Sequence, residues 1–295
     1  MTDCMKGTMS KAVFTPSSLL SFRGALHLSQ IILSLVTFLL AAFRGESLSY
    51  WNYAMFTWSF CPIMTLIITI IEMFKLDLVF NGICLDWPDF TTGMAMSSTL
   101  MTISAAIMYG NFYACLDCPY GWVVTVFAIL CSVVYTLEVV KDKFLDKKKA
   151  TYLAALPGFW KVLEAFVSCM IFVSLSGYSN NLALVLCVIA YAIPFPVVLL
   201  IIVINILKKL RTCFPFNLDR FGFIFLIVCV VLYIFAAIMW PIFTFIKNSR
   251  PIDCPRRFCI WAEQFMVAFM TYVNLILFSV DLIFTLLGIC GFKRT

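Results

Sequence analysis

Eight apolar runs, each close to the length that crosses a bilayer, constrain this chain more than any other feature. They extend over about Gly24–Phe43, Ala54–Phe74, Phe90–Tyr109, Trp122–Val140, Pro157–Leu175, Leu182–Leu207, Phe221–Ile246 and Ala262–Leu287. A spanning helix needs roughly 20 apolar residues. Open strands would leave backbone groups unpaired in lipid. Barrel strands run about 10 residues and alternate in polarity, and these runs do not. Composition removes the water-soluble alternative. The chain has 295 residues, 63% hydrophobic and 12% charged, against about 45–50% and about 25% in soluble domains. The predicted fold is therefore all-α: a polytopic transmembrane bundle of about eight spans.

The basic residues give it a direction. The N-terminal tail and segments 75–89, 141–156, 208–220 and 288–295 hold 15 Lys and Arg, and the opposite loops hold 5. Lys and Arg concentrate on the cytoplasmic side, so both termini are expected in the cytoplasm, with no cleavable signal peptide. The loop holding Lys247, Arg250, Arg256 and Arg257 dissents. Clusters at Lys141–Lys149 and Lys208–Arg211 are explained by topology. They also suit anionic inner-leaflet lipids, at about 1 kcal/mol per basic group. Nucleic acid is not needed to account for a net charge of +6.

An internal repeat divides the chain. GALHLSQIILS from Gly24 aligns with GFWKVLEAFVS from Gly158. The alignment sets His27 on Lys161, Gln30 on Glu164 and Ser34 on Ser168. Ala105-Ala106-Ile107-Met108-Tyr109 matches Ala236-Ala237-Ile238-Met239-Trp240, and each is followed by a loop with two cysteines. Both copies comprise four spans starting on the cytoplasmic side, so the repeats are parallel. The expected organisation is a tail over 1–22, a four-helix repeat over 23–140, a basic linker over 141–156, a second repeat over 157–290 and a short tail over 291–295.

Ionisable groups inside spans are costly and mark function or packing. They are His27, Glu72, Glu138, Lys161, Glu164 and Asp281, with Gln30, Asn205 and Asn274 as neutral partners. All except Asn274 fall in the cytoplasmic part of their spans, shallower than a carrier's midplane site. Lys161 and Glu164 have the i, i+3 spacing that lets side chains meet on a helix. One reading is an internal ion pair. A sharper one has each repeat's first helix holding Glu138 or Asp281 of its last. Lipid-headgroup binding and proton or ion conduction are weaker alternatives. Pro194 and Pro196 interrupt the sixth span and Pro241 distorts the seventh, since proline removes a backbone donor. Tyr50, Trp51, Tyr109, Tyr113, Trp122, Trp240 and Trp261 are expected as interfacial anchors.

Four of 13 cysteines fall in the outer loops: Cys115, Cys118, Cys254 and Cys259. The secretory route is oxidising, and bridges Cys115–Cys118 and Cys254–Cys259 fit the repeat. Two other connectivities remain open, and a short C-x-x-C loop also suits zinc or redox chemistry. Cys61, Cys131, Cys169, Cys187 and Cys229 lie within spans as small packing residues. Cys84, Cys213 and Cys290 suit palmitoylation. No phosphate-binding loop, zinc-protease motif, nucleophile elbow or nucleotide fingerprint occurs. No catalytic, cofactor-binding or metal-binding residue is therefore expected, and no enzyme.

The segments NYAMFTWSFCPIMTLIITIIEM (52–73) and LPGFWKVLEAFVSCMIFVSLS (156–176) resemble the myeloid-associated differentiation marker family, across nearly the whole chain. That resemblance implies two tandem MARVEL domains of four helices each. It also implies a basic-x-x-Gln/Glu element in each first helix. Here the element is His27-Leu28-Ser29-Gln30 and Lys161-Val162-Leu163-Glu164, with His27 departing from the usual Arg or Lys. It implies non-enzymatic work in cholesterol-rich domains of plasma or vesicular membranes: membrane organisation, trafficking, cell spreading or junctions. The implied partners are the bilayer, cholesterol and other membrane proteins. The alternative is a small channel or carrier using the shallow acids.

Overall fold

The computed structural model describes residues 21–45, 49–76, 85–115, 119–142, 152–153, 155–175, 181–207, 218–246 and 259–289. Every regular element among them is helical. The helices are α1 (Phe22–Ala42), α2 (Ser49–Met73), α3 (Trp87–Tyr113), α4 (Pro119–Val140), α5 (Leu156–Val173), α6 (Leu182–Ala192), α7 (Pro194–Ile206), α8 (Leu218–Phe245) and α9 (Ile260–Ile289). The run around 182–207 is broken at Ile193, immediately before Pro194, which cannot donate to the helix ladder. Pro62 and Pro241 are carried inside α2 and α8.

Among the described residues, six stretches are long and apolar enough to cross a membrane: Phe22–Ala42, Tyr50–Met73, Pro119–Val140, Leu182–Ile206, Arg220–Phe245 and Ile260–Gly288. The protein is thus an all-helical integral membrane protein. Helices α3 and α5, expected as the third and fifth spans, are not among the six. Helix α3 is diluted by a run of Ser, Thr, Gly and Asn, and α5 is short, at 18 residues.

Helix starts follow local rules. Ser21 is extended and its hydroxyl accepts from the Gly24 amide at 3.1 Å, capping α1. Asn181 caps α6 in the same way, accepting from the Ala183 amide at 3.3 Å. Pro88 and Pro157 open α3 and α5, where a missing amide proton costs nothing.

The helix faces are sorted opposite to those of a water-soluble bundle. On α1 the buried stripe is Gly24, His27, Gln30, Ser34, Thr37 and Ala41, whereas Leu28, Ile32, Leu35 and Leu39 face outward. On α4 the buried stripe is Thr125, Ala128, Cys131, Ser132, Tyr135 and Glu138, while Trp122, Val126, Ile129, Val133 and Leu137 are exposed. Small and polar residues turned inward with branched aliphatics outward is the pattern of helices packing in lipid.

The chain folds into two compact units. One holds Met1–Ser47, Trp51–Thr151 and Ile206–Lys209; the other holds Leu48–Tyr50, Tyr152–Asn205 and Leu210–Thr295. Within the first, α4 packs against both α1 and α3. Within the second, α9 packs against both α5 and α8, and α8 also against α6. In each unit the last long helix is therefore flanked by the first and third. Close approaches are made at glycines. A Cβ on Gly121 would lie 2.1 Å from the Tyr113 carbonyl oxygen, and one on Gly158 would lie 2.3 Å from that of Tyr152.

Several aromatic residues expected as interfacial anchors are buried instead. Tyr50, Tyr109, Tyr113 and Trp240 are nearly inaccessible, whereas Trp122 is half exposed. Their rings serve helix packing. The Tyr109 ring lies tilted 4.8 Å from Tyr113 and meets Trp58 edge-on at 5.4 Å. In the second unit Trp240 lies 6.2 Å from Tyr191. Ala105, Ala106, Ala236 and Ala237, on the same helices, are buried as well.

Candidate functional site

Buried polar and ionisable residues of the first and last helices gather into one node per unit, whereas the buried Asp86 and Asp89 lie at the start of α3. In the first, His27 reaches across from α1 to α4, where Nε2 lies 2.8 Å from Glu138 Oε1. The other ring nitrogen, Nδ1, lies 2.9 Å from Thr69 Oγ1 on α2. Gln30, one turn further along α1, donates from Nε2 to Glu138 Oε2 at 2.7 Å. Both oxygens of a deeply buried carboxyl are thereby matched, as a buried charge requires. The Thr69 hydroxyl itself donates to the Thr65 carbonyl at 2.7 Å. Thr65 and Tyr135 hydroxyls meet at 3.2 Å.

At the start of α1, Arg23 lies 3.6 Å from Glu72 and 3.7 Å from Asp142. Glu72 is thus an outer partner of this node. Seven residues along α1 from His27, the Ser34 hydroxyl meets the Cys131 thiol at 3.1 Å, seven residues back along α4 from Glu138. Polar contacts at heptad intervals on two antiparallel helices fix their register. A small polar cavity, lined in part by Arg23, His27, Thr65, Ser98, Tyr135 and Glu138, has room for about one water molecule.

The second unit repeats the plan with stronger charges. Lys161 on α5 lies 2.7 Å from Asp281 Oδ2 on α9 and 2.9 Å from Glu164 Oε2 on its own helix. All three are deeply buried. Seven residues along α5 from Lys161, Ser168 accepts from Asn274 Nδ2 at 2.9 Å, seven residues back along α9 from Asp281. Asn274 also donates to the Tyr233 hydroxyl at 2.7 Å, which brings α8 into the same network. His27 and Lys161, Gln30 and Glu164, Ser34 and Ser168 are aligned in sequence, and each pair occupies the same station on its first helix.

Of the residues singled out from sequence, His27, Gln30 and Glu138 come together in one node, and Lys161, Glu164 and Asp281 in the other. Asn205 does not join either, its amide donating to the Ile201 carbonyl of its own helix. Cys115 and Cys259 are both disulfide-bonded. Cys118 and Cys254 lie outside the described residues, as do Cys84, Cys213 and Cys290. Cys61, Cys131, Cys187 and Cys229 are free and buried, and Cys169 is free and partly buried. Among the described residues no cluster of three His, Cys, Asp or Glu side chains is arranged to hold a metal ion.

Sequence reasoning left Arg23, Thr69, Tyr135, Asp142 and Tyr233 out of the candidate set. A signal for two of them existed. Arg23 is four residues before His27, and Asp142 four after Glu138, so each extends a polar stripe already recognised. The tyrosines carried no such signal, because their hydroxyls are placed by a neighbouring helix.

Such nodes pair helices. Each joins a first helix to a last one, and each interhelical hydrogen bond contributes on the order of 0.6–2 kcal/mol in a membrane.

Compared with known proteins, the chain is 33% identical over 279 residues to myeloid-associated differentiation marker-like protein 2 of Xenopus laevis, covering 89% of this chain and 91% of that one. It is 32% identical over 291 residues to the human myeloid-associated differentiation marker, covering 92% and 89%. It is 32% identical over 282 residues to the Rattus norvegicus marker-like protein 2, covering 89% and 90%. No family model matches the chain, and no solved structure matches it. These names designate differentiation markers and no enzyme. On identity above 30% along nine-tenths of its length, the chain belongs to the myeloid-associated differentiation marker family.

Proposed function

We propose that this protein organises cholesterol-rich membrane domains and catalyses no reaction. It does so as an eight-span bundle of two parallel MARVEL-like repeats, with both termini cytoplasmic. Its place is the plasma membrane or vesicular membranes, and its roles are trafficking, cell spreading or junction organisation. The observation that carries this reading is the sorting of its surfaces. Charged and hydrogen-bonding side chains turn inward and are spent on helix pairing, and the outward faces offer branched aliphatics to lipid. Such a surface works by its fit to lipid and to neighbouring helices.

Two observations support the topology. Arg23 at the start of α1 meets Asp142 just past α4, and Lys161 near the start of α5 meets Asp281 towards the end of α9. A unit whose first and last helices run antiparallel begins and ends on one side. The disulfide-bonded Cys115 and Cys259 stand at the opposite ends of those helices, as expected of loops facing an oxidising compartment. In this arrangement α3 and α5 also cross, their polar content covered by neighbours. Cholesterol, anionic inner-leaflet lipids and other membrane proteins are the partners.

The test is deletion of the protein from cells that express it. Raft partitioning of membrane markers and the rate of cell spreading should both change. Unchanged partitioning and spreading would refute the reading. A small channel or carrier is the second reading, and the polar cavity beside His27 and Glu138 is what favours it. That reading requires solute flux through the purified protein.

A further inference from the structure

We propose that Glu164 is a proton-binding site: its carboxyl holds a proton in the folded protein and donates it to Asp281, as Gln30 donates to Glu138 in the first unit. Three observations converge on it.

The first is charge balance. Lys161 is one cation held between two buried acids, Glu164 and Asp281. The titratable groups facing the triad from α8 are Cys229 and Tyr233, neither of which brings a positive charge. Asn274 and Ser168 are neutral, and the Phe278 ring lies 5.9 Å from the lysine nitrogen. An uncompensated charge in a membrane interior is expensive, and one bound proton removes it.

The second is hydrogen bonding. Glu164 Oε2 accepts from Lys161, but Oε1 is buried with no donor. The Asp281 carboxyl lies against the same ammonium group, with Oδ2 2.7 Å from Lys161 Nζ, so the two acids converge on one cation. A carboxyl oxygen that meets no donor is satisfied when it carries a proton and donates it to a neighbouring acceptor. A protonated Glu164 accepts from Lys161 with one oxygen and donates to Asp281 with the other.

The third is the internal repeat. The station of Glu164 on α5 is that of Gln30 on α1, and glutamine has the shape of a protonated glutamate. Gln30 donates from Nε2 to Glu138 at 2.7 Å. There Gln30 carries no charge, so that station brings no second acid to Glu138. The α5–α9 seam is therefore linked to proton binding, and the α1–α4 seam lacks that linkage at the Gln30 position. A folded state that binds an extra proton loses stability as pH rises.

The experiment is infrared spectroscopy on the purified full chain in lipid nanodiscs at neutral pH, paired with thermal unfolding at about pH 6 and about pH 9. The wild type should show a protonated-carboxyl stretch and a fall in Tm on going alkaline. Glu164→Gln should remove the stretch and cut the fall in Tm by at least half. Asp281→Asn, which leaves one acid for one cation, should also remove the stretch. A wild type without the stretch would overturn the proposal, as would a stretch that survives both substitutions. So would stabilisation by sodium at constant pH in place of stabilisation by acid.

Discussion

At the residue scale, charges buried between a first and a last helix meet partners there. Removing one partner of such a pair strands the other, typically at a cost of about 3–5 kcal/mol. Lys161→Met is expected to lose stability on that order, measured by unfolding in mixed micelles. Lys161→Met combined with Asp281→Leu should lose less than the two single changes added together, because it removes the stranded acid as well. Strict additivity would mean that the 2.7 Å contact contributes nothing to the fold. Most of the partners on the first and last helices were legible in the sequence, because a charged or amide side chain in an apolar run announces itself. The residues that complete the nodes were not. Thr69, Tyr135 and Tyr233 are ordinary in composition and acquire their role from the helix opposite.

At the element scale, the apolar runs located the helices to within a few residues and missed what hydropathy does not encode. Helix α1 begins at Phe22, where Ser21 caps it, and α3 extends from Trp87 to Tyr113, past both ends of its apolar run. Its Thr91, Gly93, Ser98, Thr99 and Thr102 are buried. The break at Ile193 was legible from Pro194. The burial of Tyr109, Tyr113 and Trp240 was not, because an aromatic residue near a span end fits an interface and a helix contact equally well. Glycine supplies the sharpest test at this scale. Gly121→Ala and Gly158→Ala each force a Cβ into a backbone carbonyl and are expected to lower Tm or abolish folded yield. Gly222→Ala meets nothing within 4 Å and should leave Tm unchanged or slightly raised. Equal tolerance at all three positions would contradict the packing at the starts of α4 and α5.

At the scale of the whole molecule, the two units share one construction: a last helix flanked by the first and third, joined to the first by polar contacts seven residues apart. The family was legible from two segments. The count of spans was less so, since six stretches among the described residues pass as spans on length and apolarity alone. Labelling of Cys115 and Cys259 addresses the topology. A membrane-impermeant thiol reagent applied to intact cells should react at these positions only after reduction. Reaction without reduction, or only after permeabilisation, would place those loops wrongly.

The central claim is that the buried charges hold helices and the apolar exterior does the protein's work. Its most direct test is reconstitution of the purified protein into liposomes of graded cholesterol content. Partitioning between ordered and disordered phases is read in one sample, and proton and solute flux in another. The expected result is preference for the ordered phase, rising with cholesterol, with flux no greater than in protein-free liposomes. Flux that Glu164→Gln or Asp281→Asn abolishes would contradict the claim and make the second node a transport site.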